Sequence, residues 1–145
     1  MQLLLDTHIW IWSVSDPDRL SAKVRRALEA PDTDLWLSPI SVWEAMLLFQ
    51  RGRLITNGDP ASVVDEMLRA VPQRAAPLTH AVAVASCLLE LPHRDPADRM
   101  IAATAKVHGL TLVTADKRLL ASREYATLPN VERRRVATGG RSRKK

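Results

Sequence analysis

The chain has 145 residues, 46% of them apolar and 26% charged, with a formal net charge of +5; one domain of that length can bury a core of helices around a sheet. Its apolar runs break well short of the ~20 residues a membrane span needs, and no basic region precedes the first of them, so a soluble, unexported, cytoplasmic protein with no membrane partner is expected. The single cysteine, Cys87, excludes an internal disulfide and is expected in the core, because it sits in the apolar stretch from Ala81 to Leu91.

Gln2 to Asp6 is a short apolar run suited to a buried strand, and it leads directly into Thr7 to Val14, predicted as a largely buried helix through Ile9, Trp10, Ile11 and Trp12. Asp16-Pro17-Asp18 breaks the chain. Ser21 to Ala30 then shows helical spacing through Val24, Ala27 and Leu28, and Asp34 to Leu37 reads as a second strand. A helix is predicted from Ser41 to Gln50, stopping at Gly52, and another opens at Asp59-Pro60 with Val63, Val64, Met67 and Leu68 at helical intervals. Ala75 to Leu78 is a weak third strand, and Thr79 caps a helix running to about Leu89. After Pro92-His93-Arg94, Asp95 caps a helix that begins at Pro96 and stops before Gly109; Thr111 to Thr114 is the next strand, Lys117 to Ser122 a short helix, and Val131 the start of an edge strand. From Arg133 to Lys145 the chain carries seven of its 21 basic residues and no acid, which leaves a body of about −2 and a tail predicted to be disordered.

Strands alternating with helices imply an α/β protein with a parallel sheet covered on both faces, and ligands of such sheets bind beyond the carboxyl ends of the strands. Asp6 and Asp116 lie at or just past two such ends, while Glu44 and Asp98 stand in the predicted first turns of helices that follow loops at the same edge. Each has an ordinary explanation as well. Ser41-Val42-Trp43-Glu44 has the form of a capping box, Asp98 suits the dipole of the helix that Asp95 caps, and Asp6 and Asp116 can cap the helices that follow them. Four independent caps, however, have no need to fall at one edge. Converging carboxylates without cysteine or clustered histidine suit a hard divalent cation, Mg²⁺ or Mn²⁺. His80, His93 and His108 lack metal-ligand spacing and are expected to cap or to face solvent, and Trp10, Trp12, Trp43, Met46 and Phe49 are expected mainly in the core, with room for a partly exposed groove.

Asp6 after an N-terminal apolar strand, the Ser-Val-Trp-Glu helix start, Leu91-Pro92-His93-Arg94-Asp95-Pro96-Ala97-Asp98-Arg99 and the run Gly109 to Asp116 together resemble PIN-domain ribonucleases, and within them VapC-type toxins of toxin–antitoxin pairs. The resemblance covers about Met1 to Tyr125 in the family's order and spacing. It implies a three-layer α/β/α sandwich around a central parallel sheet, Mg²⁺ or Mn²⁺ at Asp6, Glu44, Asp98 and Asp116, endonucleolytic cleavage of RNA, a cognate antitoxin partner and a homodimer. Asp6 and Asp98 match direct ligands, Glu44 and Asp116 direct or water-mediated ones, and Asp95 a capping or orienting acid. Residues 1–132 would form the nuclease domain and 133–145 the basic tail. Two positions depart from the pattern: Leu48 stands where similar sequences often carry lysine, and Ala97 where an aromatic is common.

Two rivals make other demands. A phosphoacceptor receiver domain needs an acidic pair at its first strand, where Asp6 stands alone, and a noncatalytic RNA-binding or scaffold version of the same fold would lack some of the four acids. If the tail strengthens RNA binding through phosphate contacts, deleting the residues after Glu132 should flatten the dependence of log K on log salt by up to about five units and leave the cut positions unchanged; titrations at several salt concentrations and mapping of the cleavage ends check both.

Overall fold

The structure, a computed structural model, describes residues 1–131, so the basic tail and its expected boundary at residue 132 lie outside the described residues. Five strands, β1 (Gln2–Leu5), β2 (Asp34–Leu37), β3 (Arg74–Ala75), β4 (Thr111–Thr114) and β5 (Thr127–Pro129), form one sheet in the order β3-β2-β1-β4-β5. Every pairing is parallel.

β1 shows why both faces are covered. Leu3, Leu4 and Leu5 are all fully buried, but Leu3 and Leu5 join one apolar cluster and Leu4 the other, as the two-residue period of a strand requires. The first cluster takes its helical members from α1 (Thr7–Ser15), α2 (Ala22–Glu29), α3 (Pro39–Gln50) and α4 (Pro60–Ala70). The second takes them from α5 (His80–Leu88), α6 (Pro96–His108) and the short α7 (Lys117–Leu120). The chain thus lays β1, β2 and β3 outward in one direction with α1 to α4 on one face, then returns across the sheet to place β4 against the other side of β1. That reversal lies between β1 and β4, the position where open α/β sheets have a crevice beyond their strand ends.

Several local boundaries differ from the sequence expectation. α3 begins at Pro39 with Ser38 as its cap, the Ser38 hydroxyl accepting from Ile40 N–H at 3.1 Å, so Ser41 is an interior, buried residue and Glu44 stands in the second turn. The third strand is the pair Arg74–Ala75 rather than Ala75 to Leu78, and the last is Thr127–Pro129, ending before Val131. Cys87 is exposed on α5 beside exposed Val84 and Leu88. α5 is apolar nearly all round, and periodicity could not tell which side would pack against α6.

α6 closes at Gly109, which holds a left-handed φ of 65° while Leu110 N–H reaches back to Ala105 O at 2.9 Å. A Cβ there would meet nothing within 4 Å, so only the backbone conformation opposes a side chain. Gly109→Ala should therefore cost about 1 kcal/mol of unfolding free energy in urea denaturation, with Gly109→Asn costing less.

Candidate metal and nuclease site

Asp6, Glu44, Asp98 and Asp116 all line one cleft of about 1070 Å³ at the carboxyl edge of the sheet, together with Asp95. Asp6 follows β1 directly and is buried; its Oδ1 accepts from Thr7 N–H at 2.8 Å, and its Oδ2 accepts from Thr114 Oγ1 at 2.6 Å. The Thr7 hydroxyl lies 2.6 Å from Glu44 Oε1 and 2.9 Å from Ser41 Oγ. Glu44 therefore bonds across to α1, and the capping-box explanation for it fails.

On the far side of the cleft, Asp95 caps α6, its Oδ1 accepting from the N–H groups of Ala97 and Asp98 at 2.9 and 3.3 Å. That leaves the Asp98 carboxylate free to turn into the site, where its Oδ2 meets His93 Nε2 at 2.7 Å. The same nitrogen lies 3.0 Å from Asp116 Oδ2, while Asp116 Oδ1 accepts from Arg118 N–H at 2.8 Å at the start of α7. Asp6 and Asp116 thus act as caps and as cleft acids at once, one oxygen for each task. Thr114 links them: its hydroxyl donates to Asp6 and accepts from Asp116 N–H at 3.0 Å.

His93 corrects the expectation of a capping or solvent-facing histidine: it is 5% exposed and sits between two of the cleft acids. His80 at the start of α5 is exposed as expected, and His108 is half-buried, its ring nitrogen 3.0 Å from Pro77 O. Arg99 is a second residue that spacing did not single out. Its guanidinium donates to the carbonyls of Ser86, Leu89 and His93 at 2.8, 2.5 and 2.9 Å, which ties the loop bearing His93 to α6. The signal for both lay in one place, since His93 and Arg99 bracket the Asp95-Pro96-Ala97-Asp98 turn. Arg51, Arg53 and Arg118 add positive charge along the cleft, and its apolar wall includes Trp12, Trp43, Leu47 and Leu48. Trp43 is 54% exposed, whereas Trp10 is fully buried and Trp12, Met46 and Phe49 are partly buried.

Crowding shows in the acids' proton affinities. Burial, then the charges of Asp6, Asp95 and Glu44, push the Asp98 carboxyl up to about 7 despite the opposing pull of His93. Burial also raises Glu44 and Asp6 above the ordinary carboxylate range, against the hydrogen bonds that Thr7 and Thr114 supply. A set of oxygen donors whose ionised forms disfavour one another is what a divalent cation relieves. His93 Nε2 and one oxygen each of Asp98 and Asp116 lie within 4.8 Å of one another, close enough to surround an ion.

The PIN domain family model matches residues 3–124. This chain belongs to the PIN domain family. Ribonuclease VapC22 of Mycobacterium tuberculosis is 35% identical over 122 residues, spanning 83% of this chain and 92% of that protein. Among solved structures, VapBC2 of Rickettsia felis bound to a promoter DNA fragment shares the fold with a TM-score of 0.68 at 18% identity, covering 89% of this chain and 98% of that one. A toxin-antitoxin complex from Klebsiella pneumoniae has a TM-score of 0.66 at 22% identity, covering 90% and 98%. The α/β/α architecture expected from the resemblance is that of this PIN domain.

Raised acids set a pH dependence. The folded-state affinity of Asp98 for its proton lies above the unfolded value, so the protonated form favours folding, and stability falls as pH rises from about 4 through about 7. In EDTA, the thermal midpoint of the unmodified chain should drop across that range more than that of Asp98→Asn, which carries no titrating carboxyl there; melts followed by circular dichroism at matched ionic strength check it.

Proposed function

We propose that this PIN domain is a metal-dependent endoribonuclease that hydrolyses RNA phosphodiester bonds as the toxin of a toxin–antitoxin pair. The observation that carries this is the convergence of Asp6, Glu44, Asp98 and Asp116 on one cleft that also presents Arg51, Arg53 and Arg118. The similarity to a protein named as a ribonuclease supports RNA as the substrate.

In this proposal Asp6 and Asp98 hold Mg²⁺ or Mn²⁺, and Glu44 and Asp116 complete the site directly or through water. The ion supplies positive charge against the phosphate and activation of water at neutral pH. Thr7 and Thr114 keep Glu44 and Asp6 turned inward, and the acid left uncoordinated takes the proton from the attacking water. Arg51, Arg53 and Arg118 receive neighbouring phosphates, in place of the lysine missing at Leu48. The antitoxin would lay apolar side chains against Trp43 and its neighbours and bring a basic side chain to the acids, since that cleft offers an apolar wall beside a negative floor. A toxin-antitoxin complex of the same fold supports that partner. The homodimer stands as part of the same proposal.

Cleavage of total RNA should vanish in EDTA and return with Mg²⁺ or Mn²⁺, and Asp98→Asn should lower it by about 100-fold or more. Undiminished cleavage in chelator, or fragments ending in 2′,3′-cyclic phosphate, would point instead to attack by the ribose hydroxyl without the metal; sequencing of the fragment ends decides between them.

A further inference from the structure

Between Asp95 and the cleft lies a self-bonded segment. Asp95 N–H donates to His93 Nδ1 at 3.3 Å, and Arg99 holds His93 O at 2.9 Å. Because Nδ1 faces a backbone donor, it must be the bare nitrogen, and the ring proton belongs on Nε2. That N–H donates to Asp116 Oδ2 at 3.0 Å, and Asp98 Oδ2 lies 2.7 Å from the same nitrogen. A nitrogen that carries a proton has no lone pair for a cation. The ring is 5% exposed and fixed from behind, and swinging it aside would break its bonds to Asp116 and Asp95 together.

We infer that His93 is a positioning residue rather than a metal ligand: its Nε2–H holds the acid that follows β4, Asp116, while the same nitrogen lies against the α6 acid Asp98, keeping the two carboxylates at ligand spacing. The inference rests on the metal site proposed above. Like charges drive Asp98 and Asp116 apart before the ion arrives, and a ring nitrogen bonded to one and in contact with the other opposes that separation. The Asp98 oxygen that does not face His93 stays available to a cation. Arg99 adds the backbone anchor, so the segment from His93 to Arg99 supplies one acid, the clamp for a second and the tether of its own loop. Groups that orient coordinating carboxylates commonly contribute 10-fold or more to metal affinity.

The test uses the full-length chain and Mn²⁺, with uptake read from the loss of the free-ion electron paramagnetic resonance signal. His93→Phe keeps the ring shape and removes the donor, and should weaken Mn²⁺ binding by about 10-fold or more. His93→Gln, whose amide N–H reaches a similar position, should stay within about 3-fold of the unmodified chain. Long-range ¹H–¹⁵N spectra of the unmodified protein should show His93 protonated at Nε2 and bare at Nδ1, with and without Mg²⁺, a readout that needs no substitution to fold. Equal Mn²⁺ affinity in His93→Phe would overturn the inference while leaving the metal site standing. Loss of the Nε2 proton on adding Mg²⁺, or a direct ¹⁴N coupling to bound Mn²⁺, would make His93 a ligand and overturn it as well. An unmodified chain that takes up no Mn²⁺ overturns the metal site and this inference together.

Discussion

Concentrating carboxylates where water is scarce is the constraint around which this fold is arranged. Ionised acids drawn into one cleft repel and lose hydration, and both effects push them toward the protonated state. The chain offsets the cost mainly with hydrogen-bond donors; among the described ion pairs, Arg118 alone sets a guanidinium near one of the four acids, 4.0 Å from Asp116 Oδ1. Thr7 N–H and Thr114 Oγ1 serve Asp6, Thr7 Oγ1 serves Glu44, and His93 serves Asp116 while lying against Asp98. Hydrogen bonds to charged groups are worth roughly 1.5–3 kcal/mol each, enough to hold geometry yet too little to cancel burial, and Asp98 stays raised to about 7. Guanidinium groups placed directly on the acids would neutralise them and leave nothing for a cation to do.

Topology supplies the convergence. β1 and β4 are neighbours although more than a hundred residues separate their first and last members, and their carboxyl ends place Asp6 and Asp116 side by side at the point where the chain reverses direction across the sheet. α3 approaches from one layer with Glu44, and α6 from the other with Asp98. Three of the four acids arise just past a strand end or in a helix first turn, where their backbone neighbours would want a carboxylate in any case. Capping and site formation are compatible because a carboxylate has two oxygens. Asp6 and Asp116 give one to the helix and keep one for the cleft; at α6 the tasks are divided between Asp95 and Asp98.

The exposed ion pairs, such as Arg25 with Asp18 and Arg69 with Asp65, lie far from these tasks, and surface pairs of that kind contribute at most about 1 kcal/mol. Arg99 is different in kind. Its guanidinium is spent on backbone carbonyls of a loop that has no regular structure of its own, so the loop's polar groups are satisfied and His93 is held at the cleft.

By itself the sequence determined the strand-and-helix order, the parallel two-faced sheet and the identity of the four acids, because apolar periods, proline at helix starts and acids at strand ends are local signals. It determined the family as well, since the spacing of those acids is a property of the linear chain. Tertiary structure alone decided what each side chain does there. Ser41 became an interior residue because Ser38-Pro39 begins the helix two positions earlier, which turned Glu44 from a cap into a partner of Thr7. Cys87 and Leu88 face outward because α6 covers one side of an otherwise apolar α5. His93 lies beside Asp98 and Asp116 because α6 runs away from the carboxyl edge of the sheet and β4 returns to it, and a contact formed by that return leaves no period or motif in the sequence.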